Sequence, residues 1–206
     1  MCVNRRENNQ MKKLTAILLA LILAFTLGAC SKTEQAGEAE QTQIPVDPDV
    51  QMGKFDLPDI RFFDASLLDG SAVTADELFG ECDVTAINIW ATWCPPCLDE
   101  MDELAEFEKT LPDNVQLLLF CVDAPTHTEE CQAILEEAGF EGRCIISATG
   151  DLATLVNDVQ YIPTTIFVNN TGKQLCDSLV GAQQALDAAY KERINIGLKA
   201  AGKSEL

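Results

Sequence analysis

The pattern of hydrophobic and polar positions changes its period several times along the chain, and these changes predict strands that alternate with helices. Mostly apolar runs without charged residues at Val84–Trp90 and Val115–Val122 are typical of strands that are buried on both faces. Residues 98–110 and 128–138 carry apolar residues at helical spacing, and Gly139 is a common kind of helix stop. Each buried strand is therefore expected to be followed by a helix.

Shorter elements flank this central stretch. In chain order they are a hairpin of Phe55–Phe63 and Ser66–Val73 around Asp69-Gly70, a short helix from Thr74 or Asp76 to Phe79, a strand at Cys144–Ser147, a short helix at Asp151–Val156, a hairpin of Thr165–Val168 and Gln174–Val180, and a closing helix at Gln183–Lys199. This order predicts an α/β fold in which a mixed central sheet carries helices on both faces.

The amino-terminal residues 1–29 have the composition of an export leader. Lys12 and Lys13 precede an apolar run that is too short for a membrane span, and Met11 is the expected start. The run ends in Leu-Gly-Ala-Cys, which resembles the lipobox of bacterial lipoproteins. By that resemblance Cys30 would be diacylated and become the mature amino terminus, on the extracytoplasmic face of a bacterial cell membrane. Ordinary signal-peptidase cleavage and an uncleaved anchor are the alternatives.

Residues 30–51 are acidic and show no apolar periodicity, so we expect a flexible tether ahead of a folded domain at residues 52–206. The formal net charge of the chain is −19. Such a charge provides no electrostatic attraction for nucleic acid and is repelled by anionic lipid headgroups. Lipid chains, rather than basic residues, would hold the protein at the membrane.

Residues 90–97 read W-A-T-W-C-P-P-C and place two cysteines two residues apart. The preceding strand and the following helix put Cys94 at a strand-to-helix turn, where unpaired backbone N–H groups and the helix dipole stabilise a thiolate. Zinc sites also use C-x-x-C, but they need two further ligands. The chain has no second close cysteine pair, and its one histidine, His127, is expected in a loop. Thiol–disulfide exchange is therefore favoured, with no metal and no cofactor.

Residues 161–165 read Y-I-P-T-T and lead into an apolar strand, a position that suits a tight or cis proline junction as well as a plain strand start. Taken with W-C-P-P-C, this segment resembles the thioredoxin superfamily, specifically its TlpA/ResA-like branch of membrane-tethered extracytoplasmic oxidoreductases. The resemblance covers roughly residues 55–190 and includes a following N-x-x-G-K hairpin. It implies a thioredoxin-like fold with an amino-terminal hairpin and an inserted helix–strand unit at residues 128–147.

The resemblance also implies roles for residues around the cysteine pair. Cys94 would be the exposed nucleophile and Cys97 the buried resolving thiol, joined as a redox-active disulfide between turnovers. Glu100 matches an acidic residue of this branch that could relay protons, although a charge in the first helical turn would also favour the helix dipole. Asn88 stands where many thioredoxins carry a buried aspartate that assists deprotonation of the resolving cysteine. An amide cannot accept that proton, so Glu100 or water would have to substitute for the aspartate.

Four further residues match the substrate-binding positions of the family: Trp93, Ile162, Pro163 and Thr164. Trp93 corresponds to the tryptophan beside the nucleophile, and Pro163 to the cis-proline packed against the cysteine pair. Ile162 would offer backbone hydrogen bonds to an extended segment of a protein substrate.

The residues between the two cysteines bear on the direction of electron flow. Oxidases of the DsbA type carry a histidine between the cysteines that stabilises the reduced form, whereas this chain has Pro95 and Pro96. This difference favours a reductase, with a thiol oxidase as the alternative. The resemblance implies a membrane thiol electron donor, a role in cell redox homeostasis and exported clients, including apocytochromes c of cytochrome c biogenesis. We expect a monomer.

Two other classes are weighed against this interpretation. Peroxiredoxins resemble P-x-x-x-T-x-x-C, but Ile87 and Ala91 occupy the proline and threonine positions here. Copper-delivery modules of the Sco type need C-x-x-x-C and a distant histidine, whereas this chain has C-x-x-C and its one histidine, His127, is poorly placed.

Five further cysteines lie in the domain: Cys82, Cys121, Cys131, Cys144 and Cys176. None has an assigned partner, except that Cys121 and Cys144 could pair if their strands are neighbours.

The leader predicts that the mature protein begins at Cys30 and carries lipid on that residue. The intact mass of the mature protein and its amino-terminal sequence test this expectation. A mature chain that begins at another residue, or that has the mass of an unmodified polypeptide, would contradict it.

Overall fold

Residues 59–206 are described by a computed structural model, in which one mixed sheet carries helices on both faces. The strands are β1 (Asp64–Leu67), β2 (Ala72–Thr74), β3 (Val84–Trp90), β4 (Val115–Cys121), β5 (Arg143–Ala148), β6 (Thr164–Asn169) and β7 (Leu179–Val180). The helices are α1 (Ala75–Phe79), α2 (Pro95–Asp99), α3 (Met101–Thr110), α4 (Ala124–Ala138), α5 (Gly150–Asp158) and α6 (Leu186–Ala200).

The strand order β2-β1-β5-β4-β3-β6-β7 places β3 and β4 in the interior of the sheet. β4 runs parallel to both of its neighbours, β3 and β5, whereas β6 runs antiparallel to β3 and β1 runs antiparallel to β5. The mixed sheet predicted from the element order is therefore confirmed. The α4–β5 unit inserts β5 between β1 and β4, as the family resemblance implied.

Strand β3 divides the interior into two cores, because alternate side chains point to opposite faces of a sheet. Ala86 and Trp90 join a core formed with α3, α4 and α6. Ile87 and Ile89 join a second core with α1 and α5. Every residue of β3 is buried, and this two-sided burial explains why its sequence V-T-A-I-N-I-W is mostly apolar and does not alternate between apolar and charged residues.

The helix expected over residues 98–110 begins earlier and is interrupted. Pro95 starts α2 because proline suits the first helical turn, where its missing N–H costs nothing. Glu100 separates α2 from α3 with φ −94° and ψ −3°. His127 was wrongly expected in a loop; it lies inside α4, at a kink with φ −132° and ψ 38°.

The expected strand Gln174–Val180 was too long. Only Leu179–Val180 pairs as β7, and Gln174 makes a single bridge to Val168. Residues 59–63 of the strand expected at Phe55–Phe63 form no strand, while residues 55–58, the leader, Cys30 and the tether lie outside the described residues. Between residues 59 and 206, no helix is both long and apolar enough to cross a membrane.

The packing of α6 on the sheet predicts a cost for a small change at Gly197. A Cβ atom there would lie 2.5 Å from Leu175 Cδ1 and 2.6 Å from Val84 Cγ2. We expect Gly197→Ala to lower the free energy of unfolding by about 1–3 kcal/mol through overpacking, although alanine favours a helix. Urea denaturation measures the difference, with exposed Lys199→Ala as the control. A variant at least as stable as the wild type would contradict the packing argument.

Candidate functional site

The cysteine pair lies at the junction of β3 and α2. Cys94 and Cys97 are joined by a disulfide with their Cα atoms 5.3 Å apart. Cys94 immediately precedes the first turn of α2, whose first two residues are prolines. The expectation that Cys94 is exposed is wrong for this disulfide state, because its residue is only 3% exposed. The bond to fully buried Cys97 holds the Cys94 sulfur within the apolar core.

The Y-I-P-T-T segment meets the cysteine pair from the opposite side. The Ile162–Pro163 peptide bond is cis, and the carbonyl oxygen of Ile162 lies 3.8 Å from Cys94 Sγ. The Thr164 hydroxyl donates to the carbonyl oxygen of Tyr161 at 2.7 Å. Thr164 is buried and its hydroxyl is engaged within this loop, while the Ile162 carbonyl oxygen approaches the disulfide.

A groove of about 490 Å³ is lined by Trp93, the residue before Cys94, and by Ile162, the residue before Pro163. The rest of its apolar wall includes Val122 after β4, Pro125 of α4, Ile146 of β5 and Val156 of α5. Trp93 is 66% exposed, which is unusual for so large an apolar side chain. The groove therefore offers apolar surface next to the two residues, Trp93 and Ile162, that flank Cys94 and Pro163 in the sequence.

Asp123 anchors the loop that leads into Cys94. Thr92 donates to the Asp123 carboxylate from its backbone N–H at 3.0 Å and from its hydroxyl at 2.6 Å. Burial would raise the pKa of Asp123, but the hydrogen bonds from Thr92 outweigh it and the pKa is lowered. The sequence analysis missed Asp123. Its position directly after β4 was the available signal, because the carboxyl ends of parallel strands β3 and β4 meet at the same sheet edge.

Glu100, three residues after Cys97, belongs to a buried polar network. Asn88 Nδ2 donates to Glu100 Oε1 at 2.9 Å and also lies 3.1 Å from both Thr165 Oγ1 and the Tyr190 hydroxyl. Burial is the largest influence on Glu100 and raises its pKa to about 7, against the lowering effect of the hydrogen bonds from Asn88 and from the Gln183 backbone.

This burial changes what Glu100 can do. An exposed charge in the first helical turn, which was one interpretation of the sequence, does not describe a side chain that is 5% exposed at a break between two helices. Sequence reasoning also missed Tyr190, since only the packing of α6 against β6 brings its hydroxyl within 2.6 Å of Thr165. The arrangement supplies a carboxyl group that gains and loses a proton near neutral pH.

Comparison with known proteins agrees with this geometry. A family model described as Redoxin matches residues 51–181. The Thiol:disulfide interchange protein DsbE homolog of Paracoccus denitrificans is 40% identical over 108 residues, which cover 52% of this chain. The match spans 57% of that relative's length.

Solved structures show the same fold. A secreted thiol-disulfide isomerase from Corynebacterium glutamicum superposes with a TM-score of 0.56 at 21% identity, over 73% of this chain and 95% of that one. StoA from Bacillus subtilis gives a TM-score of 0.52 at 18% identity, over 65% and 98% of the two chains. These likenesses confirm the thioredoxin-like fold that the sequence resemblance implied.

The raised pKa of Glu100 predicts a pH-dependent stability. As the pH rises above the ordinary value of 4.5 toward about 7, the unfolded chain releases a proton that the folded protein keeps, so stability is lost across this window. Glu100→Gln removes that loss while keeping an acceptor for Asn88. We expect the variant to gain on the wild type by about 3 kcal/mol between pH 4.5 and 7 in urea denaturation. Exposed Glu103→Gln is the control, and parallel profiles for wild type and Glu100→Gln would refute the assignment.

Proposed function

The chain belongs to the redoxin family, and we propose that it acts as a membrane-tethered, extracytoplasmic thiol–disulfide oxidoreductase that reduces disulfides of exported proteins. The observation that carries this proposal is the Cys94–Cys97 disulfide at the start of α2, with the Ile162 carbonyl 3.8 Å from Cys94 Sγ. The interchange activity in the name of the Paracoccus relative and the secreted Corynebacterium structure support the chemistry and the location. The lipobox-like sequence at Cys30 supports the tether.

The reaction begins with the reduced pair. The Cys94 thiolate attacks one sulfur of a substrate disulfide, forms a mixed disulfide and expels the other substrate sulfur as a thiolate, which takes up a proton. Cys97 then loses its proton and attacks Cys94 Sγ, which releases the reduced substrate and leaves the intramolecular disulfide. A membrane thiol donor returns two electrons and restores the dithiol.

Glu100 is proposed to accept the proton that Cys97 must lose. A carboxyl group with a pKa of about 7 exchanges protons readily at neutral pH, whereas an ordinary glutamate is already ionised there. Asn88, which cannot itself titrate, positions the carboxylate by its 2.9 Å hydrogen bond. Asn88 and Glu100 together would thus perform the role that a single buried aspartate has in many thioredoxins.

The substrate is proposed to be an extended protein segment whose cysteine lies beside an apolar side chain. Its backbone would hydrogen-bond to Ile162 next to Pro163, and the apolar side chain would enter the groove beside Trp93. Thr164 would contribute by holding the loop, since its hydroxyl is already bonded to Tyr161.

The proposed direction depends on the residues between the cysteines. Pro95 and Pro96 provide no side-chain donor to stabilise the Cys94 thiolate, so the reduced form lacks the stabilisation that makes DsbA-type proteins strong oxidants. The acidic side chains that follow, including exposed Asp99 and Asp102, further disfavour a thiolate. Both features favour a more negative redox potential and hence a reductase.

The equilibrium redox potential of the Cys94–Cys97 pair tests this direction. The full chain is equilibrated in glutathione and dithiothreitol buffers, and tryptophan fluorescence reports the state of the pair through adjacent Trp93. We expect a midpoint near or below about −270 mV, as in thioredoxin. Cys176→Ser should leave the midpoint unchanged. A midpoint near about −120 mV would instead identify a thiol oxidase.

A further inference from the structure

Three buried cysteines lie together in the core behind the active-site loop. Cys131 of α4 is fully buried, and its sulfur lies 4.0 Å from that of Cys144 in β5. The Cys121 thiol at the end of β4 donates to Asp123 Oδ1 at 3.2 Å. The pairing of Cys121 with Cys144 that the sequence analysis considered is wrong, because the β4–β5 register sets Cys144 beside Leu119 rather than Cys121.

We propose that Cys131 and Cys144 form a second redox pair, separate from Cys94 and Cys97, which closes to a disulfide. The two sulfurs face each other across the contact between α4 and β5, at about twice the bonded distance of 2.05 Å. Closing the bond requires the two sulfurs to approach each other by about 2 Å. Cys121 is the less suitable partner, since its thiol is already engaged by Asp123.

Metal binding is the main competing use of such a cluster. Three thiols in one place can act as ligands for a soft metal ion. Within residues 59–206, however, no group of three or more histidine, cysteine, aspartate and glutamate side chains has the arrangement of a metal site. Disulfide formation needs only the two facing sulfurs, so it is the chemistry that the cluster supports.

Cys144 is only 4% exposed, but it forms part of the wall of a cavity of about 410 Å³, and we assign this cavity as the route by which an oxidant approaches the pair. Four charged side chains also line this cavity, namely the carboxylates of Asp69, Glu136 and Glu141 and the guanidinium of Arg143. This excess of negative charge favours a small cationic disulfide over an anionic one. The oxidant class that fits the cavity is therefore a low-molecular-weight disulfide.

The reaction proceeds by two exchanges. The Cys144 thiolate attacks one sulfur of the small disulfide and expels a thiolate, which takes up a proton. The Cys131 thiolate then attacks the Cys144 sulfur and expels the second small thiol. Two protein thiols thus lose two electrons and two protons, and one disulfide molecule becomes two thiols.

The second exchange is slow, because few Cys131 thiols are ionised. Contact with Cys121 lowers the pKa of Cys131, but contact with Cys144 and burial together raise it to about 12. Thiol–disulfide exchange proceeds through the thiolate, so the raised pKa of Cys131 slows the second exchange.

Cystamine, a small cationic disulfide, is the probe for this pair. The full chain is incubated with cystamine, remaining thiols are alkylated in acidic denaturant, and the protein is digested with trypsin. Cleavage after Lys109, Arg143 and Lys173 places Cys121 and Cys131 on one peptide and Cys144 on the next. We expect a disulfide-linked product of peptides 110–143 and 144–173, with an alkyl label on Cys176.

Three single variants identify the linked residues. The product should persist in Cys121→Ser and disappear in both Cys131→Ser and Cys144→Ser. Labelled peptides without any link in the wild type, or a link that survives in Cys131→Ser, would overturn the proposal. Because Cys94 and Cys97 both lie in peptide 62–109, their state does not enter this measurement. The test can therefore fail while the proposed reductase activity stands.

Discussion

The pairing of β3 with both of its neighbours is the constraint on which the whole site depends. Trp90 at the end of β3 is aligned with Cys121 of β4, and Ile89 is aligned with Thr164 of β6. The first register brings Asp123 to the loop before Cys94, and the second brings the Ile162 carbonyl to the Cys94 sulfur. A slip of one residue in either pairing would exchange the two faces of a strand, so register and site geometry are inseparable.

The buried network around Glu100 lowers the stability of the fold but provides a carboxyl group that can hold a proton near neutral pH. A carboxyl group removed from water resists ionisation, and a buried amide oxygen such as Asn88 Oδ1, which has no partner within residues 59–206, also costs free energy. Apolar residues at these positions would pack without that cost, but they could not hold a proton near neutral pH. Tyr190 and Thr165 limit the cost by sharing hydrogen bonds with the amide.

The inserted unit places a second group of cysteines in the same core as the first. Cys131 and Cys144 come from α4 and β5, and both share an apolar cluster with Cys97. Cys121 donates to Asp123, which in turn holds Thr92 two residues before Cys94. The two groups of cysteines are thus neighbours through β4, and of the second group Cys144 lines a cavity of its own.

The sequence by itself determined the alternation of strands and helices, the strand-to-helix position of Cys94 and the proline junction at Pro163. These features depend on local patterns: mostly apolar runs, helical spacing, and the special backbone of proline. Only the tertiary structure decided which cysteines face each other, that Glu100 is buried beside Asn88 and Tyr190, and that Asp123 holds the active-site loop. Those contacts join residues that are far apart along the chain, and burial, strand register and helix packing act together to create them.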